Sequence, residues 1–129
     1  MAAPAAAYAH GVEVAGAELW VFTSGVVPTS VDGSVPTSLD AQAALVWSNV
    51  FAILGESGLF HSDIVSVTTY VVENENERLT GGELSARLAV VMAARDAALQ
   101  GHKPASTLVT VPALARPEWR MEISVVAAR

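Results

Sequence analysis

The run Ile64–Val72 constrains the fold more than any other part of this sequence. It contains no helix breaker and consists mainly of valine, threonine and tyrosine, which favour β-strands. On either side of it, apolar residues recur every three or four positions, as on one face of an α-helix. A strand between two such helices indicates a sheet that the helices can cover. The sequence therefore predicts an α+β fold with Ile64–Val72 as a central strand.

The first predicted helix begins after Thr37 and runs to about Gly55–Gly58. Thr37 and Asp40 have the spacing of a capping box, in which two side chains satisfy the free amides of the first turn. Pro28, Pro36 and the turn formers between them predict a loop before this helix. The apolar stripe consists of Ala43, Val46, Trp47, Val50, Phe51, Ile53 and Leu54. A stripe this broad is expected to lie on a sheet.

The second predicted helix ends at Gln100, because Gly101 and then Pro104 follow it. Thr80 and Glu83 form a second candidate capping box at its start. Its apolar positions are Leu84, Leu88, Val91, Met92 and Leu99.

Four further segments alternate as strands: Val12–Val14, Glu18–Thr23, Ser106–Val111 and Trp119–Ala127. The predicted order is β-β-α-β-α-β-β in a single domain, residues 1–129, with both helices on one face of a mixed sheet. The other face of the sheet stays open in such an arrangement. We expect a symmetric oligomer to cover it, because large exposed apolar faces mark contact sites.

Composition excludes several classes of function. The 129 residues are 52% hydrophobic and suffice for one folded core. Seven Lys and Arg stand against 13 Asp and Glu, and a net charge of -6 would repel a phosphate backbone. The chain has no cysteine, and no segment with the composition of a membrane span or an export signal. We expect a cytoplasmic protein that binds neither nucleic acid nor membrane.

Metal binding is not indicated. His10, His61 and His102 stand singly at predicted element ends, where a solvated or capping role is expected. The acidic stretch 73–77 is expected to be a solvated loop.

Two charges lie where apolar residues are expected. Arg95 falls on the apolar stripe of the second helix, so its guanidinium must reach solvent or pair with an anion such as Asp96 or Glu122. Glu122 lies in an otherwise apolar strand. There it suits a proton shuttle or a water-positioning group, and equally a structural partner in a subunit contact.

An ordered set of short motifs resembles the Rid (YjgF-like) proteins over nearly the whole chain. The matching segments are Tyr8-Ala9-His10-Gly11-Val12, Phe22-Thr23-Ser24-Gly25 with Pro28, the helix from Gln42 to Asn49, Asp63-Ile64-Val65 with Thr68-Thr69-Tyr70, Pro104-Ala105, and Met121-Glu122-Ile123. The resemblance implies a chorismate-mutase-like, ferredoxin-like fold and a homotrimer with clefts between subunits. It further implies hydrolysis of enamines and imines, such as 2-aminoacrylate, with no cofactor.

Three residues match the family's site. Tyr8 corresponds to a tyrosine near the cleft, Gly25 to the glycine of the Ser-Gly turn, and Glu122 to the glutamate that positions water. The resemblance implies catalytic roles for Glu122 and Tyr8, and substrate contact at Gly25.

Other positions depart from the family's pattern. Ser106 stands where the deaminases have an arginine that binds the substrate carboxylate, and Val26 where glutamine is common. Met92 replaces an asparagine of the second helix, and Leu108 follows two positions after Ser106. These changes predict a less polar cleft, in which Arg95 is the candidate replacement cation. Loss of a bidentate charged contact costs about 1.5–3 kcal/mol per bond. We therefore expect a substrate other than 2-aminoacrylate.

Two functions stay open at this stage. One is an imine or enamine hydrolase, favoured by the retained Glu122. The other is a non-catalytic trimer that binds a small molecule or a protein, favoured by the altered cleft. A ribonuclease or translation-inhibitor role, also attached to this family, conflicts with the acidic charge.

Overall fold

A computed structural model describes residues 1–73 and 81–129. Within these ranges the chain forms β1 (Trp20–Phe22), α1 (Leu39–Gly55), a 3₁₀ turn (His61–Asp63), β2 (Ile64–Val72), α2 (Gly81–Leu99), β3 (Ala105–Val111) and β4 (Met121–Ala128). The strands make one mixed sheet in the order β1-β4-β2-β3. β2 pairs in parallel with β3 and antiparallel with β4. The predicted α+β class and the central position of β2 are confirmed.

Both helices pack on one face of this sheet, as expected. Side chains alternate along β2 and β4, and every second one enters the core. The core joins Val46, Val50 and Leu54 of α1, Val91 and Leu99 of α2, and Val67, Val71, Ile123 and Val125 of the sheet. Burial of each such side chain contributes roughly 1.5–3 kcal/mol, so the sheet and helices stabilise one another.

The opposite face of the sheet is uncovered in the single chain. Tyr70 of β2 and Glu122 of β4 lie there, half-buried between core-facing neighbours. On β1 the Trp20 and Phe22 rings stack with centroids 6.2 Å apart. Phe22 is 71% exposed. Exposed aromatic side chains beside a sheet face are characteristic of a surface that contacts another molecule.

The predicted strand at Val12–Val14 is wrong. Ala9 bridges to Ala105 on the β3 edge, whereas Glu18 donates its backbone N–H to Arg129 at the β4 end. The intervening segment must cross the end of the sheet from one edge to the other, so it cannot pair along either edge. β1 is shorter than the predicted Glu18–Thr23, although Leu19 and Thr23 on either side of it also bond to the backbone of Arg129 and Val125.

The N-terminal capping box predicted for α1 is also wrong. The N-cap is Ser38, and its side chain makes no capping hydrogen bond. The Ser38 hydroxyl instead donates to Asp40, which lowers the pKa of that carboxyl. The second candidate box includes Thr80, and the acidic stretch includes residues 74–77; these residues lie outside the described ranges.

A buried glutamine ties α1 to the sheet. Gln42 is 1% exposed, and its Nε2 donates to the carbonyls of Pro36 (2.7 Å) and Glu118 (2.9 Å). Its Oε1 accepts the backbone N–H of Arg120 at 2.9 Å. These bonds fix the start of β4, which carries Glu122 two residues later.

Neither helix of the described chain has the length and apolar character needed to cross a bilayer.

Candidate functional site

Glu122 is a carboxylate on the open face of the sheet. Its neighbours Met121 and Ile123 point into the core, so Glu122 points the other way, and Tyr70 lies directly opposite on β2. No hydrogen bond or ion pair joins the Glu122 carboxylate to another residue of the described ranges. A carboxylate in this setting is available to a water molecule or a ligand.

The Ser24-Gly25 turn lies against Glu122. Val26 holds the turn in place, because its N–H donates to the Ile123 carbonyl (2.7 Å) and its carbonyl accepts the Ile123 N–H (3.0 Å). A Cβ built on Gly25 would overlap the carboxyl group of Glu122. Glycine is therefore required here if Glu122 is to keep its position.

A cavity of about 420 Å³ adjoins this turn. It lies between the segment that follows β1 and the outer face of α1. Its lining includes Gly25, Val26, Val27, Val31, Asn49 and Ile53. The Asn49 amide shapes the wall by donating to the carbonyls of Val27 (3.1 Å) and Thr29 (3.0 Å). Trp119 supports the same wall, because its Nε1 donates to the Thr29 hydroxyl at 3.1 Å.

Ser106 and Leu108 lie on the helix-covered face of the sheet. Ser106 pairs with Val67, which is fully buried in the core, and Leu108 packs against that core. Tyr8 comes to the same end of β3, because the N–H of Ala9 donates to the Pro104 carbonyl at 3.0 Å. The structure thus brings Tyr8 to the strand end that carries Ser106.

Ser106 and Glu122 are not brought together within one chain. Ser106 is level with Val67 on β2, whereas Glu122 is level with Tyr70, and β2 separates their strands. The two residues are offset by three positions along the strands, which is about 10 Å, and by two strand spacings across the sheet, which is also about 10 Å. These perpendicular offsets place the two backbones about 14 Å apart. They also lie on opposite faces of the sheet.

Arg95 is buried and paired. It is 5% exposed, and its Nε and one terminal nitrogen both donate to Asp96 Oδ1 at 3.1 Å. Of the two partners considered from sequence, Asp96 is the one found. Met92 is half-buried on the same helix.

The histidines are spread over the structure. His102 Nε2 bonds to the Ile64 carbonyl at 2.6 Å, and His10 Nε2 to the Ala2 carbonyl at 2.7 Å. His61 lies in the 3₁₀ turn. Among the described residues, no group of three metal-ligating side chains comes together.

Sequence reasoning missed two residues of this region. Tyr70 faces Glu122, and only the β2 to β4 register shows it, because alternation alone does not say which residues of two strands are opposite. Asn49 shapes the cavity through bonds to a loop about 20 positions earlier in the sequence. The only indication in the sequence was that Asn49 is a polar residue next to the apolar stripe of the helix.

Comparison with known proteins places the chain in one family. The family model described as endoribonuclease L-PSP matches residues 1–129. Among solved structures, the YjgF gene product of Escherichia coli is 31% identical, with 95% of this chain and 87% of that one covered and a TM-score of 0.71. No curated protein matches the sequence.

Two further structures are similar over most of their length. YyfB of Yersinia pestis, a protein of the Rid family described as of unknown function, is 28% identical, covers 95% of this chain and 87% of its own, and has a TM-score of 0.80. TdcF of E. coli, solved with bound serine, is 28% identical, with 100% and 91% covered and a TM-score of 0.68. The full-length family match and these structures show that the chain belongs to the endoribonuclease L-PSP family, the YjgF/Rid proteins.

Proposed function

We propose that this protein is a homotrimeric imine or enamine hydrolase whose active sites lie between subunits. Each site would take Glu122 and the Ser24-Gly25 turn from one chain, and Tyr8, Ser106 and Leu108 from the next. A cytoplasmic location stays a prediction.

One observation carries the proposal. Glu122 and Ser106 correspond to two walls of a single family site, yet they lie on opposite faces of the sheet, with backbones about 14 Å apart. A second copy is the simplest way to bring such walls face to face. The uncovered sheet face with Trp20 and Phe22 supports an oligomer, since association would bury that apolar surface.

The chemistry follows from an available carboxylate. Glu122 orients a water molecule and accepts one of its protons, while the water oxygen bonds to the imine carbon. The imine nitrogen gains protons, the carbon–nitrogen bond breaks, and ammonia leaves as the carbonyl forms. One imine and one water give one carbonyl compound and one ammonia. Tyr8 and the backbone at Gly25 would orient the substrate.

The substrate is proposed to differ from 2-aminoacrylate. Ser106 offers a hydroxyl in place of a guanidinium. Arg95, the alternative cation, is buried and already pairs with Asp96. Serine in the TdcF structure indicates that a related protein accepts a small amino acid. The carboxylate of such a substrate would bind more weakly to the Ser106 hydroxyl than to the arginine that the deaminases have at this position.

A non-catalytic binding trimer is the second candidate. The cavity beside Gly25 favours it, since a pocket of about 420 Å³ falls in the size range that holds small ligands whether or not chemistry follows.

The test compares ammonia release by the wild type and by Ser106→Arg from freshly generated 2-aminoacrylate. We expect little release by the wild type and clear release by the variant, because the variant restores a carboxylate partner beside an intact Glu122. Glu122→Gln in the Ser106→Arg background is the control and should abolish the gain. Strong wild-type activity would contradict the proposed change of substrate. If neither protein releases ammonia above the spontaneous rate, the binding trimer is favoured.

A further inference from the structure

We propose that the cavity beside Gly25 is a specificity pocket that holds an uncharged apolar group of the substrate, such as a phenyl or branched alkyl substituent. This inference rests on the proposed function and names the class of imine on which the site would act.

The walls of the cavity are mainly apolar, although Ser24, Thr29 and Ser30 also line it. Val26, Val27 and Val31 of the loop face Ile53 and Ala52 of α1 across about 420 Å³. Asn49 is the largest polar residue of the wall, and both of its N–H groups are occupied by the Val27 and Thr29 carbonyls. An apolar substituent would gain free energy by leaving water for these mainly hydrocarbon walls, whereas a polar one would lose part of its hydration.

Among the described residues, no cation lines the cavity to receive a carboxylate. None of its lining residues is charged. Asp32, the residue after the lining residue Val31, is negatively charged and solvent-exposed. Its pKa is lowered to about 2, first by hydrogen bonds from Ser30 and Ser34. An anionic substituent would lose hydration without gaining a cationic partner from the lining residues, so a neutral group is preferred.

The cavity adjoins the proposed reaction centre. Gly25 lines it and also lies against the Glu122 carboxyl group. A substrate with its imine carbon at Glu122 would pass its substituent along the Gly25 backbone, which adjoins both the carboxyl group and the cavity. The substituent would then reach the space between Val27 and Ile53.

The test uses three matched probes and measures their dissociation constants by calorimetry. Benzamide carries a ring on a neutral head group, acetamide lacks the ring, and benzoate carries a charge. We expect benzamide to bind at least about tenfold more tightly than acetamide or benzoate, because only benzamide carries both an apolar ring and an uncharged head group.

Ala52→Phe fills the cavity from α1, where Ala52 is an exposed lining residue. Ala44→Phe makes the same change on the same helix at an exposed position that faces the groove to α2. We expect Ala52→Phe to weaken benzamide binding at least about tenfold and Ala44→Phe to leave it unchanged. Equal binding of the three probes, or no loss in Ala52→Phe, would overturn the assignment. So would a change of oligomeric state in Ala52→Phe, which would make the cavity a contact between copies.

Failure of the pocket and failure of the hydrolase are distinguishable. Benzamide binding that Ala52→Phe removes, without hydrolysis of methyl phenyl ketimine, would retain the pocket and reject the enzyme. Hydrolysis of that ketimine by the wild type and by Ala52→Phe at equal rates would retain the enzyme and reject the pocket.

Discussion

The carboxyl group of Glu122 occupies the space that a side chain at Gly25 would need. The two residues come from β4 and from the turn after β1, and the backbone pair between Val26 and Ile123 holds them together. Gly25 does not have a positive φ, so its backbone conformation does not require glycine. Glycine is needed here because a side chain would displace the neighbouring carboxylate.

Gly25→Ala should therefore separate activity from stability. The new methyl group meets the flexible end of Glu122, which can swing away, so unfolding free energy should change by less than about 1 kcal/mol. The displaced carboxylate should lower the hydrolysis rate about a hundredfold, as expected for a shift of about 1 Å at a reacting centre. Ketimine hydrolysis and urea unfolding measure the two effects.

Gly55→Ala is the control, because nothing lies within 4 Å of a Cβ at that position. In a Glu122→Gln background, Gly25→Ala should have no further effect on the remaining rate. A further loss there would show that Gly25 acts independently of Glu122.

Gln42→Leu should destabilise the fold by about 3 kcal/mol, because it removes a buried amide and leaves the Pro36 and Glu118 carbonyls and the Arg120 N–H without their partner. Ser48→Leu, at an exposed position on the same helix, should change stability by only about 0.5 kcal/mol. Urea unfolding at one fixed protein concentration compares them. Equal effects would contradict a special role for the Gln42 amide.

Asp32 should make the stability of the loop before α1 depend on acid pH. Hydrogen bonds from Ser30 and Ser34 lower its pKa from 3.8 to about 2 in the folded chain. The stabilisation is therefore complete at a pH above the pKa of Asp32 in the unfolded chain. It is lost as the pH falls through the pKa of Asp32 in the folded chain. Wild type should unfold at higher urea than Asp32→Asn at about pH 6, and the difference should shrink toward zero near pH 2. A difference independent of pH would reject this role.

Much of the fold could be predicted from local pattern. Ile64–Val72 matched in both bounds because a β-branched run without breakers has few alternatives. α2 ends at Leu99, one residue before the predicted Gln100, since Gln100 and Gly101 take positive φ. The strand predicted at Val12–Val14 was wrong, because alternation of apolar and polar residues does not show whether a partner strand is within reach. The crossing from the β3 edge to the β4 end decides that, and it depends on the whole sheet.

The candidate site was less accessible to sequence reasoning. Gly25 and Glu122 were identified through a resemblance, and the structure places them against each other. That Ser106 and Glu122 lie on opposite faces depends on strand register, which follows from the pairing of β2 with both β3 and β4. Tyr70 was missed for the same reason.

Mixing two inactive variants tests most directly whether each site is built from two chains. Glu122→Gln removes the carboxylate, and Ser106→Asp places a negative charge on the opposite wall. Each alone should be inactive toward methyl phenyl ketimine. When equal amounts are unfolded and refolded together, about a quarter of the sites in random trimers should combine an intact Glu122 with an intact Ser106 from the next chain. We predict recovery of about a quarter of wild-type activity. A mixture no more active than its parents, from a wild type that does hydrolyse the ketimine, would contradict a site shared between subunits.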